Sequence, residues 1–336
     1  MDTFKMNKIY FSNNIFFDHD IKKNKKNLYK KKNYEKNCSF YFQLKFVEKV
    51  LNELSKIVGK NFQNYNFYVY TSNNKEEIPK SAAINHSKKI LIFISNESNY
   101  IPFNLEKYFF CIFKCYLPYE LKNSKIFSFP LNIISDISIK KVIPINKRPI
   151  DIFFCGNLNS NRLSLYHALS SNAKIFSKIS NKLLYSFLIR LGLKKKFTSR
   201  NMSIGVNGNN YIKFTNGFNG EGGGLNYNEY FRLLNNSKVI LCPRGYMSSE
   251  TFRHYEAIKS GSVVITEKLP KTYFYKNAPY IEINNWKDGL MKAEKLILNL
   301  VKLKNIQKRN NMHYKQIMSE KSVAKYAYKL IKSIEK

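Results

Sequence analysis

The sequence predicts an α/β protein built on two parallel sheets, each covered by helices. Three observations predict it. Short apolar runs recur along the chain, each bounded by polar or turn residues, as buried strands are. Segments with helical spacing fall between them. At 336 residues the chain is long for one domain and comfortable for two, at roughly 100–200 residues each. Strands that alternate with helices call for parallel sheets buried on both faces.

Residues 18–37, "DHDIKKNKKNLYKKKNYEKN", read as a basic, low-complexity, exposed loop. "SFYFQLKFVEKVLNELSKIVG" carries Phe42, Phe46, Val50, Leu51, Leu54, Ile57 and Val58 at helical spacing and stops at Gly59. Strands are expected at 66–71, 88–95, 109–115 and 125–132. Two prolines and a basic link then precede a new buried strand, "DIFFCG", which sets a boundary at 148–149. Helical segments are expected over 161–192, then glycine- and asparagine-rich loops, then a short helix in "NYNEYFRLLNN". "KVILCP" and "SVVIT" are strands, "NAPYIEINNW" holds an edge strand, and lysine-rich amphipathic helices over 287–303 and 305–334 close the chain. Residues 1–148 and 149–336 therefore read as two Rossmann-like domains facing a cleft.

The formal charge is 57 − 23 = +34. Such an excess points to nucleic acid, an anionic membrane or an anionic substrate. Lysine is enriched together with Asn, Ile, Phe and Tyr, which share AT-rich codons, so base composition accounts for part of it. Selection for phosphate binding would not also raise Asn, Ile and Phe. The five cysteines are scattered through apolar runs, without a second pair or a histidine at metal-site spacing. They read as reduced buried thiols of a cytoplasmic protein. The N-terminus lacks the apolar core of a signal peptide, and no run reaches the roughly 18–20 apolar residues of a membrane helix. A soluble protein is expected, with peripheral contact to the inner face of an anionic membrane left open.

The most informative stretch is "SKVILCPRGYMSSETFRHYEAIKSGSVVITEKLP", 237–270. In a parallel sheet, ligands sit outside the carboxyl ends of strands, where "RGYMSS" lies. Gly245 lets backbone approach a ligand, and Ser248 or Ser249 can cap the next helix. A helix start favours phosphate, and Arg244 and Arg253 add fork-shaped donors. Glu256, three residues after Arg253, can accept from ribose hydroxyls. The same residues also fit a surface ion pair worth under about 1 kcal/mol and a plain turn.

This stretch resembles the exostosin-like glycosyltransferases, which carry Ser-Lys, an apolar strand, Cys-Pro-x-Gly, an Arg before Glu-Ala-Ile, and a Gly before another strand. "DIFFCGNLNSNR" is similar to the family's Phe-Phe-x-Gly strand, with Arg162 opening the next helix. "IFKCYLP…IFSFPLN" is similar to the segment before the link. Together they cover roughly residues 109–285. The resemblance implies the GT-B architecture, a nucleotide-sugar donor held mainly by the C-terminal domain, and inverting transfer to a saccharide or lipid-linked saccharide, with no metal or other cofactor. Many such enzymes place a glutamate where Ser248 stands here, and Glu250 is the substitute at hand. The implied donor residues are Gly156, Asn157, Ser160, Arg162, Arg244, Gly245, Glu250, Arg253 and Glu256. The two arginines would neutralise the departing diphosphate.

Inversion needs a base from the other domain. Glu97 is the candidate, in the polar turn after the strand at 88–95; a solvated loop glutamate is the plain alternative. Asp18-His19-Asp20 matches a metal-binding triplet of another transferase architecture, but no strand is expected to lead into it. "GEGGG" at 220–224 lacks the Lys-Ser/Thr of a phosphate loop and reads as a mobile loop. His167, His254 and His313 show no catalytic spacing. The competing function is a non-enzymatic binder of polyanions, nucleic acid or anionic membrane, driven by the +34 charge; it leaves the 237–270 arrangement unexplained, and the transferase reading calls for no specific nucleic acid.

Overall fold

The computed structural model describes residues 12–19, 41–71, 78–94, 96–132, 142–169, 183, 186–187, 190–191, 209–216 and 224–335. The chain folds into two compact units. Unit 1 comprises Met1–Asp136, Lys271–Phe274 and Ile317–Lys336, and unit 2 comprises Ile137–Pro270 and Tyr275–Gln316. Two α/β units, each on a five-stranded parallel sheet, match the fold class expected from the alternation of strands and helices.

Unit 1 holds β1 (Ile15–His19), β2 (Asn66–Thr71), β3 (Lys89–Ile94), β4 (Cys111–Lys114) and β5 (Ile126–Ser128), side by side in chain order. All six residues of β3 are buried, which suits a central strand covered on both faces. Its charged member, Lys89, reaches the carbonyls of Ala82 at 2.8 Å and Ile84 at 2.5 Å. Helix α1 (Tyr41–Val58) buries Phe46, Val47, Val50, Leu51 and Leu54 and gives way at Gly59, as its apolar spacing requires.

Strand β1 corrects one expectation. It runs directly through Asp18 and His19, so a strand does lead into the Asp-His-Asp triplet. Asp18 is buried and accepts from the Ser81 N–H at 2.8 Å, and burial raises its pKa. Asp20, the rest of the basic 18–37 stretch and residues 220–223 lie outside the described residues.

Unit 2 holds β6 (Ile150–Asn157), β7 (Tyr211–Thr215), β8 (Ser237–Cys242), β9 (Val263–Glu267) and β10 (Ile281–Ile283), ordered β10-β9-β8-β6-β7. Its helices are α2 (Leu163–Leu169), α3 (Tyr227–Asn235), α4 (Phe252–Lys259), α5 (Trp286–Ile297) and α6 (Leu300–His313). The core joins Phe154, Phe214, Leu241, Ile265, Trp286 and Leu303. From β6 the chain steps one way to β7, then back past β6 to β8, β9 and β10. The order reverses between β6 and β8, which is the doubly wound 2-1-3-4-5 pattern.

The opposite ends of these strands are locked by Arg148, which is 2% exposed. Its Nε donates to the Ile143 carbonyl at 3.0 Å. Its Nη1 donates to the Ser237 carbonyl at 2.7 Å and the Ser262 hydroxyl at 2.6 Å, and Nη2 to the Ser260 carbonyl. Burial lowers its pKa to about 10.

The chain ends differently from the two helices expected. A π-helical turn, Tyr314–Met318, separates α6 from a third helix, α7 (Glu320–Glu335). Helix α7 packs on α1 and so belongs to unit 1, whereas a cut at 148–149 assigns it to the second domain. Among the described residues, Cys111, Cys115, Cys155 and Cys242 are buried and none is in a disulfide. Among the described residues no helix is long and apolar enough to cross a membrane.

Candidate functional site

The reversal in strand order sets the site. At the carboxyl ends of β6 and β8 two loops leave in opposite directions, and ligands of open parallel sheets bind there. The β6 loop runs through Asn157 to a 3₁₀ turn, Ser160–Arg162, capped by Asn159, whose Oδ1 accepts from the N–H groups of Asn161 and Arg162 at 3.0 Å each. The β8 loop is Pro243 to Glu250.

The two loops are stitched together by hydrogen bonds. Arg162 Nε donates to the Arg244 carbonyl at 3.0 Å, and its Nη1 to the Asn157 carbonyl at 2.7 Å. Asn161 Nδ2 donates to the carbonyls of Gly245 at 2.9 Å and Tyr246 at 2.7 Å. Asn157 Nδ2 donates to the Tyr246 hydroxyl at 3.3 Å. Asn161 and Tyr246 join the site although sequence reasoning passed over them. Asn161 stands between two predicted residues, Ser160 and Arg162, and that adjacency was its only sequence signal.

Gly156 has a spatial reason. A β-carbon there would lie 2.6 Å from Arg253 Nη2 and 3.2 Å from Arg162 Nη1. The space left by this glycine is filled by two guanidinium groups of the protein. Arg253 Nη2 donates to the Cys155 carbonyl at 2.6 Å, and its guanidinium lies 4.8 Å from the centroid of the Phe154 ring. Gly245 likewise has its backbone engaged, its N–H donating to the Ser248 carbonyl at 2.8 Å.

Arg253 and Glu256 are both buried, which excludes the surface ion pair that their spacing also allowed. Tyr230, on α3, donates its hydroxyl to Glu256 Oε2 at 2.8 Å. Burial alone would lower the Arg253 pKa; Tyr230, Cys242 and Glu256 beside it outweigh that and leave it raised. The Cys242 thiol is pushed up to about 12, chiefly by burial. Glu250 is buried too, and its Oε1 accepts from the Tyr275 hydroxyl at 2.7 Å.

The helix cap also differs from expectation. Thr251, not Ser248 or Ser249, precedes α4, in a capping box with His254. Ser248 is spent one turn earlier, its hydroxyl accepting from the Glu250 N–H at 3.1 Å. His254 Nδ1 accepts from the Thr251 N–H at 3.1 Å, so Nε2 carries the proton and donates to the Thr266 hydroxyl at 2.7 Å. Burial lowers its pKa to about 3 and keeps the ring neutral.

A cavity of about 910 Å³ opens beside these loops, wholly within unit 2. Ser160, Asn161, Ser164 and His167 line it from the β6 side, Arg244 and Ser249 from the β8 loop, and Glu267, Lys268, Trp286 and Lys287 from beyond β9 and β10. Of the residues expected on the donor side, Ser160 and Arg244 reach it. Arg244 Nε is buried with no protein partner, while Nη2 donates to the Met247 carbonyl at 3.3 Å. Trp286 Nε1 donates to Glu267 Oε1 at 2.8 Å, which fixes one acidic group of the wall. The lining is rich in donors, and Arg244, Lys268 and Lys287 make it cationic, as an anionic polar ligand requires. His167 and Trp286 gave no signal in the sequence, because their approach to Arg244 depends on strand order.

Glu97 lies in unit 1, half-buried, in the turn that follows β3. The turn is tied by Asn96 Oδ1, which accepts from the Ser98 N–H at 3.2 Å and from its hydroxyl. Beneath it Lys114, fully buried, donates to the carbonyls of Cys115 at 2.9 Å, Ser98 at 3.4 Å and Asn96 at 3.5 Å. The residues expected on the donor side thus all lie in unit 2, and Glu97 lies in unit 1.

No family model matches the chain, and no curated protein matches it. Solved structures do. One is a mutant of TarM from S. aureus in complex with fondaparinux, alpha-GlcNAc-glycerol and UDP, at 11% identity and a TM-score of 0.43 over 85% of this chain. The chain spans 58% of the length of that protein. A second is an α,α-trehalose 6-phosphate synthase from Burkholderia multivorans, at 8% identity and a TM-score of 0.47, covering 87% of this chain and 76% of that one. A third is Anabaena HepE in complex with UDP and glucose, at 11% identity and a TM-score of 0.43, covering 83% of this chain and 81% of that one.

Proposed function

We propose that the chain is a glycosyltransferase that moves a sugar from a nucleotide-sugar donor to a saccharide or lipid-linked saccharide acceptor, with inversion and without a required metal. One observation carries the reading. The switch point of unit 2 brings Arg162, Arg244 and Arg253 to the carboxyl ends of β6 and β8, next to a donor-lined cavity of about 910 Å³. A nucleoside diphosphate needs such a place, since its two phosphates gain charge as the sugar leaves.

The arginines divide the work. Arg244 lines the cavity and meets the diphosphate directly. Arg162 holds the carbonyls of Asn157 and Arg244, Arg253 holds that of Cys155 in β6, and both add positive potential without leaving their hydrogen bonds. Glu256 balances Arg253 through Tyr230, and Glu250 holds Tyr275. On the acceptor side the reading assigns Glu97 as the base that takes the hydroxyl proton.

The test is release of nucleoside diphosphate from a panel of UDP-, GDP- and ADP-sugars, with and without saccharide acceptors. One donor class should turn over. Arg244→Ala should lower kcat/KM by about 10²-fold, the usual cost of removing one charge-stabilising donor. No release from any donor, with no binding of any nucleotide, contradicts the proposal.

A further inference from the structure

We propose that the α5–α6 corner of unit 2 docks on an anionic lipid bilayer. This inference stands apart from the proposed reaction and from the cavity. Leu298, at the corner, is 88% exposed, and Val301 after it is 71% exposed. Leu300, Met291 and Met312 are exposed beside them. The opposite stripe of α6, Leu303, Ile306 and Asn310, is buried in unit 2, and this fixes which face looks outward. On that outer face Val301, Lys304, Lys308 and Met312 follow at spacings of three and four residues. Along α5 and its C-cap, Met291, Lys295 and Leu298 follow the same rule.

The charge around these side chains has one sign. From Lys295 to Ser319 the sequence holds Lys295, Lys302, Lys304, Lys308, Arg309 and Lys315 and no Asp or Glu. Of the acidic groups on α5, Asp288 is paired with Lys292 at 2.9 Å, and Glu294 is half-buried. Exposed apolar side chains at a corner, with the exposed Lys295, Lys302, Lys304 and Lys308 beside them in the chain, match the two layers of a bilayer surface. Leucine and valine enter the acyl boundary while the ammonium groups stay with lipid phosphates. A nucleic acid would engage the lysines but give Leu298 and Val301 nowhere to bury. The lipid bilayer satisfies both halves of the patch together.

The experiment is co-sedimentation of the full chain with vesicles of phosphatidylglycerol and phosphatidylcholine in equal parts, and with pure phosphatidylcholine. Binding is expected to the mixed vesicles and to be much weaker to the neutral ones. Leu298→Asp/Val301→Asp should weaken it at least about 20-fold at unchanged ionic strength, since it removes apolar insertion and repels anionic lipid. Both positions are exposed, so the melting temperature should stay put. Lys304→Ala/Lys308→Ala should weaken binding about 25-fold, roughly fivefold for each charge. Absence of binding by the wild type overturns the proposal. So does binding that the Leu298→Asp/Val301→Asp variant retains, which would place the contact on lysines elsewhere. Tight, apolar-independent binding of polyuridylate in place of vesicles overturns it in favour of RNA. A wild-type dimer that the double variant dissolves, without vesicle binding, overturns it in favour of self-association.

Discussion

Gly156 shows how one missing side chain shapes the site. Its absent β-carbon makes room for Arg253 and Arg162, which hold the backbone of β6 and its loop. Gly156→Ala should drive Arg253 from the Cys155 carbonyl and cost about 2 kcal/mol, the worth of one hydrogen bond from a charged donor. Denaturant unfolding reads this as a lower midpoint at unchanged slope. The sequence pointed to both arginines but not to where their guanidinium groups point, because a side chain's direction depends on which elements surround it. His254 adds a pH dependence. Its folded-state pKa, about 3, lies below the ordinary value of 6.5, so below that value the unfolded chain takes up a proton that the folded chain refuses. Stability therefore falls as pH falls, by about 2 kcal/mol at about pH 5. His254→Asn keeps an acceptor for the Thr251 N–H and cannot titrate. The stability loss of this variant between neutral pH and about pH 5 should be smaller than the wild type's by that amount.

Elements with strong local period were legible in the sequence. Strand β2 is Asn66–Thr71, the predicted 66–71, and α1 ends at Val58, directly before the Gly59 at which its spacing was expected to stop. Strand β1 was missed because its apolar run, Ile15 to Phe17, is three residues long and gains its place only by pairing with β2. The helical tail was read as two pieces because its apolar spacing continues across the π-helical turn at Tyr314–Met318. Strand order was not legible at all, and with it went the cavity walls formed by His167 and Trp286. Arg148, read only as part of a basic link, holds β8 and the turn before β9 through two carbonyls and a hydroxyl far from it in sequence. Arg148→Ala should destabilise the protein by about 3 kcal/mol or more, since it strands several buried acceptors. Arg148→Lys keeps the charge with fewer donors and should fall between. Thermal melts of the three proteins check the order.

At the scale of the whole molecule, the chain crosses from unit 1 to unit 2 and returns. Helix α7 closes unit 1: Tyr326 stacks on Tyr273 with centroids 4.3 Å apart, and Glu335 accepts from Lys88 at 2.8 Å and Tyr65 at 2.6 Å. Removing residues 317–336 should therefore expose α1 and speed hydrogen exchange in β1–β5, while β6–β10 keep their protection. Equal loss in both sheets would contradict this division. The central claim is that the switch point of unit 2 holds a nucleoside diphosphate against Arg244. Calorimetric titration of UDP, GDP and ADP into the wild type and into Arg244→Ala tests it most directly. The account predicts binding of one nucleotide, weakened about 10-fold or more in a variant that still folds, the loss of one charge-assisted contact. Equal binding by both proteins, or none by the wild type, would contradict it.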